Sequence, residues 1–494
     1  MVWNKQRSIA AAVTLWVAAA AWPQQPFSLD TTFHAHFNSW YVNTALPLED
    51  GHVLISGQIK FASDLSFRGG AYLNADGSWD MSYPNVLDMN GKLVRWNDKI
   101  YAADGGIVDR LLLDGTRDTS FILMYNGPYF SPFQGGDYHV YPDGRLVMSG
   151  YHTLSDSVRG FVGNYQFIWF SNTGYLDTTA HHRRGNGAMY QFTQMPNGQF
   201  VCCGNFTQFD GHPVDKIFRV QADGAVDTTF HTGIAWAYAF DYLPLADGRV
   251  YAGGIFVGVP QPADSTQLVR LLPDGSLDPS FSIPQFAPEP GLTVPYPTVH
   301  GIYPWNNGQL IVYGAFASVN GQPRGGICML DSTGAVLDAF TDCSVGPYTY
   351  PGGSTYQTIV GFTPDLDSTH YYICGAYNGY TDGTLNDPQQ RFVTRLFMGD
   401  TSTGVPAYAK ASAGDAGVLL YPNPATSAVT VELAQAPAHG TLVLRDALGR
   451  EVLRKRVGAQ RIELSLAGRS AGVYVVELQD ASTTVSSKRL IVQP

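Results

Sequence analysis

The sequence predicts an all-β fold, a seven-bladed β-propeller followed by a small Ig-like β-sandwich, on three observations. Its 494 residues include 53 Gly and 30 Pro, and 13% are aromatic, a composition of turns and strands. Two turn signals alternate along most of the chain at a regular period. A second stretch of short alternating strands follows a segment rich in Ser, Thr, Ala and Gly. A hydrophobic fraction of 45% excludes wholesale disorder.

From the N-terminus, Lys5 and Arg7 precede an apolar run over 9–21 and then Trp22 and Pro23. This is the pattern of an export signal over 1–21 with cleavage near Ala21; the run is shorter than the roughly 20 residues a membrane span needs.

The first turn signal is Asp-Gly or Asn-Gly, then an apolar strand closing in Gly seven residues after the Asp or Asn. Copies run Asp50 to Gly57, Asp143 to Gly150, Asn197 to Gly204, Asp247 to Gly254 and Asn307 to Gly314. Asn90-Gly91 opens a weaker copy without the closing Gly, and Asp367 opens a last one ending at Gly375. These dipeptides tolerate positive φ at both turn centres, so each marks a tight hairpin.

The second signal is a Gly turn, then Asp, then usually an aromatic three residues on, as in Leu277-Asp278-Pro279-Ser280-Phe281, with looser copies at Asp177 and at Asp338 with Phe340. Its Asp residues stand at 80, 118, 177, 227, 278 and 338. A unit of about 50 residues with two hairpins has the size of a four-stranded blade. Leu29-Asp30-Thr31-Thr32-Phe33 is such a mark with no hairpin before it, whereas the last unit, ending near Phe397, has a hairpin and no mark after it. Placing the N-terminal piece on the last unit closes the ring and removes its open sheet edges.

These units, over residues 26–400, resemble the delta-60 repeat family, whose pattern joins an Asp-Gly turn to Leu-Asp-x-x-Phe. The resemblance implies a β-propeller and no known chemistry.

Residues 401–417 have linker composition. Residues 418–494 closely resemble the type A sorting domain of the Bacteroidetes type IX (Por) secretion system. The match is carried in order by Tyr421-Pro422-Asn423-Pro424, by Gly449 and Arg450 in Asp446-Ala447-Leu448-Gly449-Arg450, by Gly472 and Tyr474 in Ala471-Gly472-Val473-Tyr474, and by Lys488 in the terminal Lys488-Arg489-Leu490-Ile491-Val492. The resemblance implies the type IX machinery as a partner and a secreted or outer-membrane-attached fate. Each residue also has a structural reading: the glycines permit turns, Tyr474 suits a core strand, and Lys488 suits a strand edge.

Net charge is -11, while 418–494 holds nine Lys or Arg against six Asp or Glu, so the repeat region is acidic. An acidic surface disfavours phosphate backbones and anionic lipids, and neither a nucleic-acid partner nor an integral membrane role is expected. Five cysteines make no disulfide framework. Cys328 and Cys343 are the candidate pair for a bridge; Cys203 and Cys374 read as small buried strand residues.

No catalytic constellation and no cofactor are expected. His181-His182-Arg183-Arg184 lacks further ligands at metal spacing. The loop over 382–387 has calcium-loop composition without the ligand alternation. The recurring Asp of the second signal reads as a turn cap and its Phe as packing between blades. Aromatic stretches at Tyr129, Phe130 and Phe133, from Tyr296 to Trp305, and at Tyr348, Tyr350 and Tyr356 are candidate glycan platforms or packing over the ends of the ring. The expected function is a non-enzymatic exported scaffold that binds glycan or protein partners; a purely structural envelope protein and a propeller hydrolase or lyase are the alternatives.

Overall fold

The computed structural model describes residues 27–492 except 63, 65, 84–88, 260–264, 367–368, 399–417, 422–424, 426, 434–439, 446–449, 458, 468, 470–471 and 481–482. The export signal over 1–21, the linker over 401–417, Asp367, Pro422, Asn423, Pro424 and Gly449 therefore lie outside the described residues.

Seven antiparallel sheets follow one another along the chain. Their first strands are Asn38–Pro47, Leu93–Trp96, Phe130–Val140, Met189–Gln194, Trp236–Pro244, Thr298–Pro304 and Thr358–Pro364. Each pairs with a second strand, and that with a third. In six sheets a residue after the second turn adds a bridge to the third strand, as Arg117 does to Leu111 and Leu277 to Leu271.

The second strands, such as Val53–Lys60, Phe200–Gly204 and Leu310–Ala315, are buried along most of their length, so each sheet must be covered on both sides, and the core divides accordingly. Leu54, Tyr72 and Ile100 join the first and second sheets. Tyr101, Val108 and Met148 join the second and third, and equivalent clusters follow around the ring. Phe33, Val42, Ile55, Tyr372 and Val393 join the last sheet to the first. The N-terminal piece completes the last sheet: Leu29 bridges Leu396, the Phe27 amide donates to the Phe397 carbonyl at 2.7 Å, and the Phe397 amide donates to the Ser28 carbonyl at 2.9 Å.

Both turn signals build one turn. In the first copy the Gly51 amide donates to the Leu48 carbonyl at 3.1 Å, Gly51 has φ +87°, and the Leu48 amide donates to the His52 carbonyl at 2.8 Å. This is a type I turn closed by a left-handed glycine, not the expected turn with two positive φ values. Among the Asp or Asn residues of the strong copies, Asn307 alone takes positive φ. The Asp carboxylates instead accept the amide two residues on, as Asp50 does from His52 at 3.1 Å and Asp274 from Ser276 at 3.0 Å. A second correction concerns the second sheet, whose hairpin turns at Asn97 and Asp98, between Trp96 and Lys99. Asn90-Gly91 precedes its first strand, and no Gly closes that hairpin because this first strand carries no bulge.

The second signal is an inter-sheet joint. Arg110 donates to Asp118 at 2.7 Å and to the Asn172 carbonyl of the next sheet at 2.7 Å, with its guanidinium 4.8 Å from the Phe121 ring centre. Arg219 with Asp227, Pro273 and Phe230 repeats this geometry, as does Arg270 with Asp278, Ser332 and Phe281. Asp338 departs from it. There the Leu337 amide, not that of Asp338, donates to the third strand, so Asp338 shifts by one residue and stands exposed.

Cys328 and Cys343 are both unpaired, so the candidate bridge is absent. Cys328 packs between the fifth and sixth sheets and Cys343 between the sixth and seventh, so the sixth sheet separates them. Cys203 and Cys374 are buried strand residues, and burial pushes their thiols up to about 11 and about 12.

The C-terminal residues form two antiparallel sheets around their own core of Val431, Leu442, Tyr474 and Leu490. One holds Val418–Tyr421, Ala428–Leu433 and Arg461–Ser465; the other holds Glu451–Arg456, Gly440–Arg445, Gly472–Asp480 and Thr483–Val492. Tyr421 pairs with Thr430, Gly472 with Val492 and Lys488 with Val476, while Arg450 is exposed just before Glu451–Arg456.

Burial lowers His139, His152, His182 and His300 from the ordinary 6.5 to about 4; Lys92 also lowers His139, and Asp177 partly offsets burial at His182. A folded pKa below the unfolded one means that the unfolded chain gains protons first, so stability is lost as pH falls from about 6.5 towards 4. At Asp278 burial raises the pKa, but the Ser280 hydroxyl and amide and Arg270 outweigh it and bring the carboxyl down to about 2. That contribution is present above about pH 4 and is lost as pH falls towards 2. Thermal melts between pH 8 and 3 are expected to hold a plateau above pH 7, decline from pH 6.5 and steepen below 4. A flat profile down to pH 4.5 would contradict the buried neutral imidazoles.

Candidate functional site: a belt of bulged residues around the ring

The first strands use one edge for pairing within their own sheets. Their bulges follow a rule. In the first, fourth, fifth, sixth and seventh sheets the register slips between Val42 and Thr44, Met189 and Gln191, Ala239 and Asp241, Val299 and Gly301, and Ile359 and Gly361. In the third it slips between Gly135 and Tyr138. The residue before each slip pairs with a closing glycine: Gly57, Gly204, Gly254, Gly314, Gly375 and Gly150. At Gly314 an added Cβ would stand 2.0 Å from the Thr298 carbonyl oxygen, and at Gly254 2.2 Å from that of Tyr238. The closing glycine is thus the space into which the bulged strand presses.

A bulge frees one residue from the ladder and re-aims it. The freed residues are Asn43, Gly136 with Asp137, Tyr190, Phe240, His300 and Val360, and apart from Gly136 each is half-buried. They form two arcs. On the aromatic arc Phe240 and His300 have ring centres 4.3 Å apart, Tyr238 lies 5.0 Å from Phe240, and Tyr190 stacks on Tyr238 at 4.9 Å. Burial holds His300 near 4, so it is a neutral ring at physiological pH. On the polar arc Asp137 accepts from Lys92 at 2.9 Å and from Gln191 at 2.7 Å, and Asn43 donates to the Asn90 carbonyl.

Antiparallel alternation puts both turn signals of every repeat on one face of the ring and the starts of the first strands on the other. The same inter-repeat bond recurs, from the His34 amide to the Asp76 carbonyl, from Ile122 to Thr173, from His231 to Asp274 and from Ser282 to Thr333, so these repeats face the same way. The turn face carries exposed Asp50, Asp76, Asp114, Asp143, Asp223, Asp247 and Asp274. The strand-start face carries exposed Trp40, Phe67, Tyr125, Tyr129, Phe133, Trp236, Tyr238 and Tyr296. Trp40 meets Phe67 at 5.3 Å and Tyr350 at 5.4 Å, and Tyr350 meets Tyr356 at 5.0 Å.

The aromatic stretches singled out from sequence divide between the two readings. Tyr129, Phe133 and Tyr296 are exposed, whereas Phe130 and Tyr303 are buried and Trp305 packs on Phe27 and Tyr371. His182 is buried and accepts from the Trp169 amide, and Arg183 pairs with Asp210 and Asp223. Asp382 accepts from the Leu29, Thr384 and Leu385 amides. Among the described residues no group of three or more His, Cys, Asp or Glu stands together as a metal site.

The belt itself went unread, although a signal existed: the first freed residue of each bulge, Gly136 included, lies seven positions before its turn Asp or Asn, as Asn43 does before Asp50, Phe240 before Asp247 and His300 before Asn307.

A closed ring of sheets with an axial belt, followed by a two-sheet module, defines a β-propeller protein with a C-terminal appendage. Residues 196–230 and 245–281 match the β-propeller domain of unknown function DUF5122, and residues 419–493 match the secretion system C-terminal sorting domain. The chain thus carries a β-propeller and a type IX sorting domain, which indicates export and a secreted or cell-surface fate. No curated protein matches it. Among solved structures it is similar to PorZ, an essential surface component of the type IX secretion system of Porphyromonas gingivalis, at 15% identity and a TM-score of 0.31. That match covers 90% of this chain, and the chain spans 64% of the length of PorZ. It is also similar to the Pan2 WD40 domain of Neurospora crassa, at 10% identity over 78% of this chain and 100% of that one, TM-score 0.37. The gluconolactonase XC5397 of Xanthomonas campestris is 15% identical over 76% of this chain and 99% of its own, TM-score 0.30. No helix among the described residues is long and apolar enough to cross a membrane.

Proposed function

We propose that this protein is an exported glycan-binding propeller whose ligand enters from the strand-start face and lies against the belt. The observation that carries this reading is the pairing of an aromatic arc with a polar arc around one axis. Sugar rings present apolar C–H faces to aromatic rings and hydroxyls to amides and carboxylates, so a wall of both kinds matches their chemistry. The reading is binding rather than catalysis: of the buried carboxylates, Asp30, Asp118, Asp156, Asp227 and Asp278 are committed to arginines, and Asp241 accepts the Ile302 amide at 3.0 Å. The sorting domain delivers the propeller to where extracellular glycans are met.

The test is titration of the full chain with cello-, xylo-, manno- and malto-hexaose. At least one is expected to bind, and Tyr238→Ala, which removes the centre of the aromatic arc, is expected to weaken it roughly tenfold, about 1.4 kcal/mol. No binding by any of the four, or binding indifferent to Tyr238→Ala, would overturn the reading.

A further inference from the structure

The belt has a gap. In the third sheet the freed position falls on Gly136, which has no side chain, and the second sheet has no bulge at all. A recess of about 280 Å3 opens there, lined by Tyr41, Asn43, Lys92, Asp104, Asp137 and a run of glycines: Gly91, Gly105, Gly106, Gly135 and Gly136. We infer that this recess seats a single neutral pyranose residue of the bound glycan, a statement that rests on the glycan-binding reading.

Size, charge and position support this choice. The volume falls just below the roughly 300–1,000 Å3 of sites for drug-sized molecules, so it suits one ring rather than a length of chain. The wall is polar yet unsuited to an anion. The ammonium of Lys92, the one cationic side chain of the lining, is held by Asp137 and by the Tyr138 carbonyl, each at 2.9 Å, and the lining holds two carboxylates, Asp104 and Asp137. A uronate or phosphate would meet Asp104 and Asp137; neutral hydroxyls would donate to them and pair with the Asn43 amide. The glycines let a ligand approach the backbone closely. Tyr41 on the wall is the chain neighbour of the exposed Trp40.

Gly106 supplies a selective test. It does not take positive φ, and a Cβ there would meet Pro132 and Gly135 at 3.5 and 3.6 Å, ordinary contact distances. Gly106→Leu therefore puts bulk into the recess without backbone strain. Isothermal titration of the full-length variant, with polygalacturonate as the anionic probe beside the four neutral hexaoses, is expected to show at least a tenfold loss of neutral oligosaccharide binding at an unchanged melting temperature. Asn43→Ala is expected to cause a comparable loss, and it alone decides if Gly106→Leu does not fold. Polygalacturonate is expected not to bind. If a hexaose binds and Tyr238→Ala weakens it while Gly106→Leu and Asn43→Ala do not, the recess is not the subsite and the belt reading survives. If no hexaose binds, both fall. Preference for polygalacturonate would overturn the neutral assignment.

Discussion

Asp30→Ala is expected to cost about 3–5 kcal/mol of stability, because it removes a buried carboxylate and leaves the half-buried Arg395 without its counter-charge at the closure of the ring. Asp30 is 2% exposed and accepts from Arg395 at 2.6 Å; Arg395 also donates to the Ala75 carbonyl of the first sheet at 2.8 Å and lies 5.0 Å from the Phe33 ring centre. This is the joint seen between Arg110 and Asp118, with one difference: its partners are 365 residues apart in the chain. Further closure contacts run through the same segment, among them the Tyr380 hydroxyl to the Phe27 carbonyl at 3.1 Å and Gln390 to the Phe33 carbonyl at 3.1 Å. Urea unfolding of Asp30→Ala, Arg395→Met and the double variant would separate the terms. The double variant should cost less than the sum of the two, since no unpaired charge remains. A cost below about 1 kcal/mol for Asp30→Ala would mean that the pair does not hold the ring shut.

Gly314→Ala carries the second large effect, about 3 kcal/mol or more, from one added methyl group. The new Cβ would stand 2.0 Å from the Thr298 carbonyl oxygen and 3.0 Å from the His300 amide nitrogen, so the first strand must move. Backbone cannot yield as a side chain can, and the displaced segment carries His300 of the belt. Gly352→Ala is the control, since nothing lies within 4 Å of its added Cβ and its φ is not positive. It should change stability by less than about 0.5 kcal/mol. Equal melting temperatures for the two variants would mean that the closing glycine is not what accommodates the bulge.

The Asp-Gly turns, the Leu-Asp-x-x-Phe joints and the completion of the last sheet by residues near Leu29 were legible in the chain itself. A turn carries its chemistry in two or three adjacent residues, and repetition around the ring multiplies that signal. The sorting module was legible for the same reason, through ordered local motifs. Turn type was not. Asp-Gly suits more than one hairpin, and the preference of Asp for capping the amide two residues on settled it. Asn90-Gly91 misled because composition alone does not tell a turn from a strand start. Cys328 and Cys343 misled because sequence separation says nothing about which face of a sheet a thiol occupies.

The sequence by itself determined the repeat and the attachment of a secretion module, each encoded by residues near one another in the chain, and it signalled the closure of the ring through the turn mark at Leu29 that has no hairpin before it. Only the tertiary structure decided that Asn43, Asp137, Tyr190, Phe240, His300 and Val360 form one belt, that Gly136 leaves a gap in it, and that most exposed aromatic side chains stand on the face opposite the turn carboxylates. Those residues belong to different sheets and share no local pattern beyond their distance from a turn. They meet because a bulge turns each one out of its ladder and the packing of seven sheets brings the freed positions around one axis.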